Sequence, residues 1–146
     1  MHVLAVAVGG MIGAVLRHII GHGLEPLLRG MDWPLFLNGT LLVNLAGCLV
    51  LGAFAAASER LGLPRPVHLG ISVGLIGSFT TFSTFSVEAL QLIELGSPAS
   101  AAAYVLISAL GGALLAGIGW IAAGRWTSGS TGRRTRGQIG SKEGQR

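Results

Sequence analysis

The chain consists of four long apolar stretches joined by short polar connections. The stretches cover residues 3–22, 35–58, 67–93 and 99–124. A helix needs about 20 apolar residues to cross the roughly 30 Å hydrocarbon core of a bilayer, and each stretch reaches that length. Positions 33–58 and 95–124 contain no Asp, Glu, Lys or Arg. The pattern predicts an all-α membrane protein whose four transmembrane helices form one domain over residues 1–125.

Composition supports the membrane assignment and distinguishes the polar, basic end of the chain from the four apolar stretches. Charged residues make up 11% of the sequence, against about 25% in soluble domains, and the mean hydropathy is +0.67. Six of the ten Lys and Arg residues lie in the last 22 positions, among Ser and Gly. That composition cannot bury a core, so residues 126–146 are predicted to be a disordered basic tail. The lipid bilayer is the expected partner, and nucleic acid is not, because no aromatic residues interleave the basic run.

The residues that could carry chemistry do not form an enzyme site. Cys48 is the single cysteine, which excludes an internal disulfide and a cysteine-based zinc site. The four histidines are scattered, and no Ser–His–Asp set or pair of carboxylates is arranged for catalysis. We therefore expect no enzymatic activity.

A run of hydroxyl side chains interrupts the third apolar stretch. Residues 77–86 read G-S-F-T-T-F-S-T-F-S, and six of these ten are Ser or Thr. Such residues compete with helical hydrogen bonding, so the run predicts a helix broken near the membrane centre, non-helical over residues 77–83. Half-helix ends at that depth offer carbonyl groups to cations and N–H groups to anions. A continuous helix whose hydroxyls bond back to carbonyl groups is the alternative.

Asn44 lies centrally in the second stretch, within G-T-L-L-V-N-L-A-G. An unpaired amide there costs several kcal/mol, so it either bonds a neighbouring helix or donates to an anion in a pore. Arg17 ends the motif G-G-M-I-G-A-V-L-R in the first stretch. It either snorkels to the interface or attracts anions into a vestibule.

Other features are less specific. Glu88 is expected at the membrane boundary or in a vestibule, and Tyr104 and Ser108 share a helix face at i, i+4. Small residues repeat at four-residue spacing, which indicates close helix packing. These pairs are Gly9/Gly13, Gly70/Gly74 and Ala113/Gly117.

Taken together, three motifs resemble the signature of the Fluc (CrcB) fluoride channels. They are the glycine–arginine motif at 9–17, the asparagine motif at 39–47 and the hydroxyl run from residue 77, in the family's order and spacing. The resemblance covers residues 3–124. Ser78 replaces a glycine common in the third motif, and Gly112 stands where a further hydroxyl is expected.

The resemblance implies a fluoride-selective ion channel in the cell membrane that exports fluoride passively and reduces its toxicity. It implies an antiparallel dual-topology dimer with two pores and one structural sodium ion at the dimer centre. The sodium ligands are backbone carbonyls that match Gly77 and Thr80, and Arg17 matches a vestibule residue. The fluoride pore is matched by Asn44, Phe82, Phe85, Ser83, Thr84, Tyr104 and Ser108.

Charge placement leaves the partner subunit open. Four spans put both termini on one side, with Arg60, Arg65 and the tail, while Arg17 and Arg29 lie toward the other. Without the tail the bias is close to nil, as dual insertion requires, and the tail favours cytoplasmic termini. The chain is expected to pair with itself or with an oppositely oriented paralogous subunit.

Two other functions fit part of the sequence. A small multidrug-type exporter is also a four-helix dimer, but it needs a buried carboxylate that the first stretch lacks. A non-transporting membrane scaffold subunit would account for the glycines but not for the central hydroxyl run.

Overall fold

The structure is a computed structural model that describes residues 2–29, 34 and 36–125, apart from the side chains of residues 25 and 29. Its described part is helical and contains no strand. Four segments are long and apolar enough to cross a membrane: His2–Leu28, Gly39–Leu61, Arg65–Glu94 and Pro98–Arg125. The predicted all-α fold with four spans is confirmed. The predicted tail, residues 126–146, lies outside the described residues.

Five helices make up the four spans. They are α1 (His2–Arg29), α2 (Gly39–Leu61), α3 (residues 65–79), α4 (Phe82–Glu94) and α5 (Pro98–Arg125). Helices α3 and α4 together form the third span. Two stretches, Gly70–Ile76 in α3 and Ile107–Gly111 in α5, have π-helical hydrogen bonding, which the hydrophobic pattern did not predict.

Two predicted helix boundaries are corrected by local chemistry. Helix α1 continues to Arg29 instead of ending at residue 22, and Pro26 lies inside it. Helix α2 begins at Gly39 instead of residue 35. The Asn38 side chain caps it by accepting a 2.8 Å hydrogen bond from the N–H of Leu41.

The interruption in the third span is shorter than the predicted residues 77–83. Helix α3 continues through Phe79, and the N–H of Thr80 still donates to the carbonyl of Ile76 at 3.1 Å. Thr80, with ψ 154°, and Thr81, with φ −141° and ψ 129°, have extended backbone. The Thr81 hydroxyl then accepts from the N–H of Thr84, so α4 restarts with a side-chain cap.

Close approach of backbones holds α1 against α3. A Cβ atom on Gly9 or Gly13 would collide with the carbonyl oxygen of Gly70 or Leu75. The predicted glycine packing therefore operates within one subunit at these positions. At Gly117 of α5, by contrast, a Cβ would meet nothing within 4 Å.

The buried core is small and lies where α2 begins, α4 ends and α5 begins. Its members are Leu41, Leu92, Ala101 and Tyr104. Most large apolar side chains instead lie on the surface, such as Val3 at 83% and Ile19 at 61% exposure. Lipid tails solvate such side chains as well as a protein core does, so this surface fits a bilayer-embedded chain.

Candidate functional site

Two cavities meet at the extended segment between α3 and α4. The arginine cavity has a volume of about 450 Å³ and is lined by Arg17, His18, His22, Thr40, Ser83, Thr84 and Glu88 among others. The asparagine cavity has a volume of about 310 Å³ and is lined by Asn44, Gly77, Thr80, Phe82, Phe85 and Ser108 among others. Thr81 lines both cavities. The interruption in the third span is therefore the element that the two cavities share.

Asn44 pairs with the backbone of the interruption. Its Nδ2 donates to the carbonyl oxygen of Thr81 at 2.9 Å, and its Oδ1 accepts from the N–H of Thr81 at 2.8 Å. One amide side chain thus satisfies both polar groups of a residue that has left the helix. The interhelical hydrogen bond considered for Asn44 is present. The amide has a second N–H, and the side chain also lines the asparagine cavity.

The interruption takes the helical N–H donors away from carbonyl groups at the end of α3, and Gly77 and Thr80 are two of the residues affected. In a continuous helix the carbonyl of Gly77 would accept from the N–H of Thr81, and that of Thr80 from the N–H of Thr84. Those N–H groups donate instead to Asn44 Oδ1 and to Thr81 Oγ1. The Gly77 carbonyl accepts a long 3.4 Å bond from the Thr80 hydroxyl. Gly77 and Thr80 are the two residues predicted to supply carbonyl ligands.

A glycine in α2 lets the interruption approach. A Cβ on Gly47 would collide with Cγ2 of Thr80 and would lie 3.4 Å from the Phe79 ring. Gly47 is one turn beyond Asn44, so a side chain there would push α3 away from the amide that pairs with Thr81. Gly47 belongs to the asparagine motif, and the contact with Thr80 explains why a residue without a side chain is needed there.

Hydroxyl groups cluster at the start of α4. The Oγ1 of Thr81 lies 3.2 Å from Ser83 Oγ and 3.2 Å from Thr84 Oγ1. Ser83 and Thr84 are exposed and face the arginine cavity. The predicted polar residues of this segment are therefore brought together, on the side of the interruption that faces Arg17.

The two predicted pore phenylalanines differ in environment. The rings of Phe82 and Phe85 have centroids 5.8 Å apart, and both line the asparagine cavity. Phe85 is half-buried and packs against Tyr104, with centroids 5.0 Å apart. Phe82 is 80% exposed.

Tyr104 and Ser108 do not act on one site in the structure. Tyr104 is fully buried, and its hydroxyl donates to Glu88 at 2.7 Å. Ser108 follows the start of the π-helical stretch and lines the asparagine cavity. Its Oγ is buried without a hydrogen-bond partner among the described residues. Of the two, only Ser108 is positioned to contact an occupant of that cavity.

Glu88 is the centre of a hydrogen-bond network that pattern reasoning did not assemble. Its Oε1 accepts from Thr40 at 2.8 Å, and its Oε2 accepts from Asn38 at 3.1 Å and from Tyr104. Three donors from α5 and the start of α2 compensate for the cost of a partly buried carboxylate. Asn38 and Thr40 were not expected to contribute to the site. The sequence signal for Asn38 and Thr40 is that they are polar residues at the edge of the second span, while the third span carries Glu88.

Arg17 lies half-buried on α1 and lines the arginine cavity. His18 and His22, about one turn of α1 apart, line the same cavity, with ring centroids 4.4 Å apart. The vestibule position considered for Arg17 is consistent with this placement. The histidines were not assigned to any site by spacing.

Comparison with known proteins identifies relatives along the helical part of the chain. The family described as "CrcB-like protein, Camphor Resistance (CrcB)" matches residues 4–120. A protein of Nitrobacter hamburgensis named "Fluoride-specific ion channel FluC 1" is 44% identical over 80% of this chain and 91% of its own length. "Fluoride-specific ion channel FluC 2" of Moorella thermoacetica is 44% identical, covering 83% and 95%. "Fluoride-specific ion channel FluC" of Chloroflexus aurantiacus is 42% identical, covering 88% and 98%.

Proposed function

The chain belongs to the CrcB family, and on that premise we propose that it is a fluoride-selective ion channel. It is a multi-pass protein of the cell membrane, and it lets fluoride leave the cell passively, which lowers the toxic load. The relatives named above are called fluoride-specific ion channels. The family match favours this function over a small multidrug-type exporter and over a scaffold subunit.

The composition of the asparagine cavity carries the proposal. The amide of Asn44, the rings of Phe82 and Phe85 and the unpartnered hydroxyl of Ser108 all line it. Removing water from a small anion is costly unless other donors replace it. Amide and hydroxyl groups donate hydrogen bonds, and aromatic ring edges carry partial positive charge. These groups suit an anion and include no fixed charge that would trap it.

The path we propose runs from the arginine cavity past Thr81 into the asparagine cavity. Arg17 raises the local anion concentration at the entrance, and the hydroxyls of Ser83 and Thr84 line the next step. Several moderate sites in sequence permit conduction, because each binds the ion without holding it. Tyr104 acts in this scheme through Glu88, as a positioning residue that does not line the path.

The channel is proposed to work as an antiparallel dimer, formed with a second copy or with a paralogous subunit. The strongly exposed Phe82 ring supports this arrangement. The Phe82 ring packs on Phe85 at the edge of the asparagine cavity, where a second subunit would cover both rings. The hydroxyls of Ser83 and Thr84 are exposed in the single chain as well.

A structural sodium ion at the dimer centre is part of the same proposal. The carbonyls of Gly77 and Thr80 have lost their helical N–H donors, as described above. Neutral oxygen ligands suit a hard cation, and two antiparallel subunits would together present four such carbonyls. No group of three or more His, Cys, Asp or Glu side chains in the described part of the chain forms a competing metal site. The bound ion would supply a fixed positive charge near the anion path.

Fluoride efflux from liposomes tests the function directly. Purified protein in potassium-fluoride-loaded vesicles should release fluoride, measured with a fluoride electrode, when a potassium ionophore dissipates the voltage. The matched vesicles carry potassium chloride and should release little chloride. Fluoride release no faster than from protein-free vesicles would refute the proposal. Proton-coupled uptake of a cationic drug would indicate the exporter instead.

A further inference from the structure

We propose that His18 and His22 form a binding site for a divalent transition-metal ion at the arginine cavity. The two residues are four positions apart on α1, so their side chains lie on one face of the helix. Both are exposed, and both line the same cavity. The site is separate from the backbone carbonyls proposed for sodium and does not depend on the fluoride function.

The geometry of the two rings suits a shared metal ion. Their centroids lie 4.4 Å apart, and the ring planes are inclined by 74°. Imidazole nitrogens bind such ions at about 2.0–2.1 Å, so two ligands on one ion necessarily bring their rings to within a few ångströms. Two histidines at i, i+4 on a helix are a recurring metal-binding arrangement. The two rings therefore lie close enough for a change of side-chain rotamer to bring one nitrogen of each ring to a common ion.

The surroundings determine which ion binds and how tightly. Arg17 lines the cavity and repels a cation, while the carboxylate of Glu88 lines the same cavity and attracts it. Among the described residues, no third His, Cys, Asp or Glu forms a ligand cluster with the two histidines. Imidazole favours Zn²⁺, Ni²⁺ and Cu²⁺ over Mg²⁺ and Ca²⁺, and affinity rises from Mn²⁺ to Cu²⁺. We expect an exchangeable site with moderate affinity and this selectivity.

Isothermal titration calorimetry of the full chain in detergent, without a polyhistidine tag, tests the site. Zn²⁺ should bind with a stoichiometry of one ion per chain, and Mg²⁺ at the same concentration should not compete. His18→Ala and His22→Ala should each weaken Zn²⁺ binding about tenfold or more, because even losing a hydrogen-bond partner of a metal ligand costs on the order of tenfold. Both residues are exposed, so the folded state should survive, as circular dichroism can verify.

The remaining histidines provide the matched controls. His2 lines a different cavity, and His68 packs against Phe54 with ring centroids 5.6 Å apart. His2→Ala and His68→Ala should keep the parent affinity for Zn²⁺. Parent-like affinity in the double variant His18→Ala/His22→Ala, loss of binding in His2→Ala, or no Zn²⁺ binding up to about 1 mM would each overturn the proposal.

Discussion

At the scale of single residues, Asn44 connects the second span to the interruption of the third. Its amide bonds both the N–H and the carbonyl of Thr81, at 2.8 and 2.9 Å. The structural alternative and the pore alternative for this residue are therefore compatible, because the side chain has one further N–H and lines the asparagine cavity. A substitution there acts on stability as well as on transport.

Asn44→Leu should lower both stability and fluoride efflux. It removes both partners of the Thr81 backbone at similar volume, and each buried polar group left unpaired costs about 1–3 kcal/mol. Thermal unfolding in detergent and liposome efflux measure the two effects. Val50→Leu, at a half-exposed position on the same helix, should match the parent in both assays. Unfolding of Asn44→Leu at the parent temperature would contradict the pairing described here.

Substituting the two phenylalanines should separate transport from packing. Phe82→Ile and Phe85→Ile keep an apolar side chain but remove the ring edge, so both should slow fluoride efflux. Phe85 packs on Tyr104, and such aromatic pairs contribute about 0.5–1.5 kcal/mol beyond the area they bury. Phe85→Ile should therefore lower the unfolding temperature more than Phe82→Ile does. If both variants form dimers and release fluoride at the parent rate, the two rings do not form part of the fluoride path.

At the scale of helices, glycines determine how close the spans approach. Gly9 and Gly13 bring α1 against the carbonyls of α3, and Gly47 brings α2 against Thr80. These contacts pack α3 closely against α1 and α2. Within α3 the hydrogen bonding is π-helical over Gly70–Ile76, and the helix ends at Phe79. A broken segment in a membrane persists only where neighbouring protein or water covers its polar groups.

Gly13→Ala should destabilise the chain although alanine is the better helix former. The added methyl would collide with the Leu75 carbonyl, and forcing extra volume into a packed interface costs about 1–3 kcal/mol. Gly23→Ala on the same helix meets nothing within 4 Å, so it should be neutral or stabilising by up to about 1 kcal/mol. Unfolding followed by circular dichroism compares them. Equal unfolding temperatures for the two variants would show that α1 does not pack closely on α3.

At the scale of the whole molecule, the single chain has a surface that requires an apolar environment. Its spans expose large side chains such as Val3 and Ile19, while few hydrophobic side chains are buried and four of them cluster at one end. The exposed Phe82 lies among these apolar positions but beside polar hydroxyls. Lipid accounts for the exposed apolar side chains of the spans, and we propose that a second subunit covers Phe82.

Both orientations should be present when the chain is expressed alone. A cysteine placed in the tail, Ser141→Cys in a Cys48→Ala background, should be labelled by impermeant maleimide partly from outside intact cells and fully after permeabilisation. The Lys and Arg bias outside the tail is close to nil, so both orientations can insert, and the basic tail should make cytoplasmic termini the more populated orientation. Labelling from one side only would count against the homodimer and favour a paralogous partner.

The hydrophobic pattern alone determined the number of spans, while the hydroxyl run in the third span predicted an interruption with a continuous helix as the alternative. Span length and apolarity are local properties, since the bilayer sets the length that a helix must cover. The hydroxyl run also has a local effect, because its side chains compete with the backbone of their own turn. Its extent was overpredicted: only Thr80 and Thr81 leave the helix. The Thr81 side chain restarts the helix sooner than composition indicates.

Which groups meet was decided by the tertiary structure. Asn44 and Thr81 are 37 positions apart, and Thr40 and Glu88 are 48 apart. No periodicity specifies such pairs, because they depend on how closely α2 approaches the third span. Tyr104 bonds Glu88 while Ser108 lines the asparagine cavity, and their i, i+4 spacing did not specify these different neighbours. The sequence alone determined that polar groups must be satisfied inside the membrane, and packing decided which partners satisfy them.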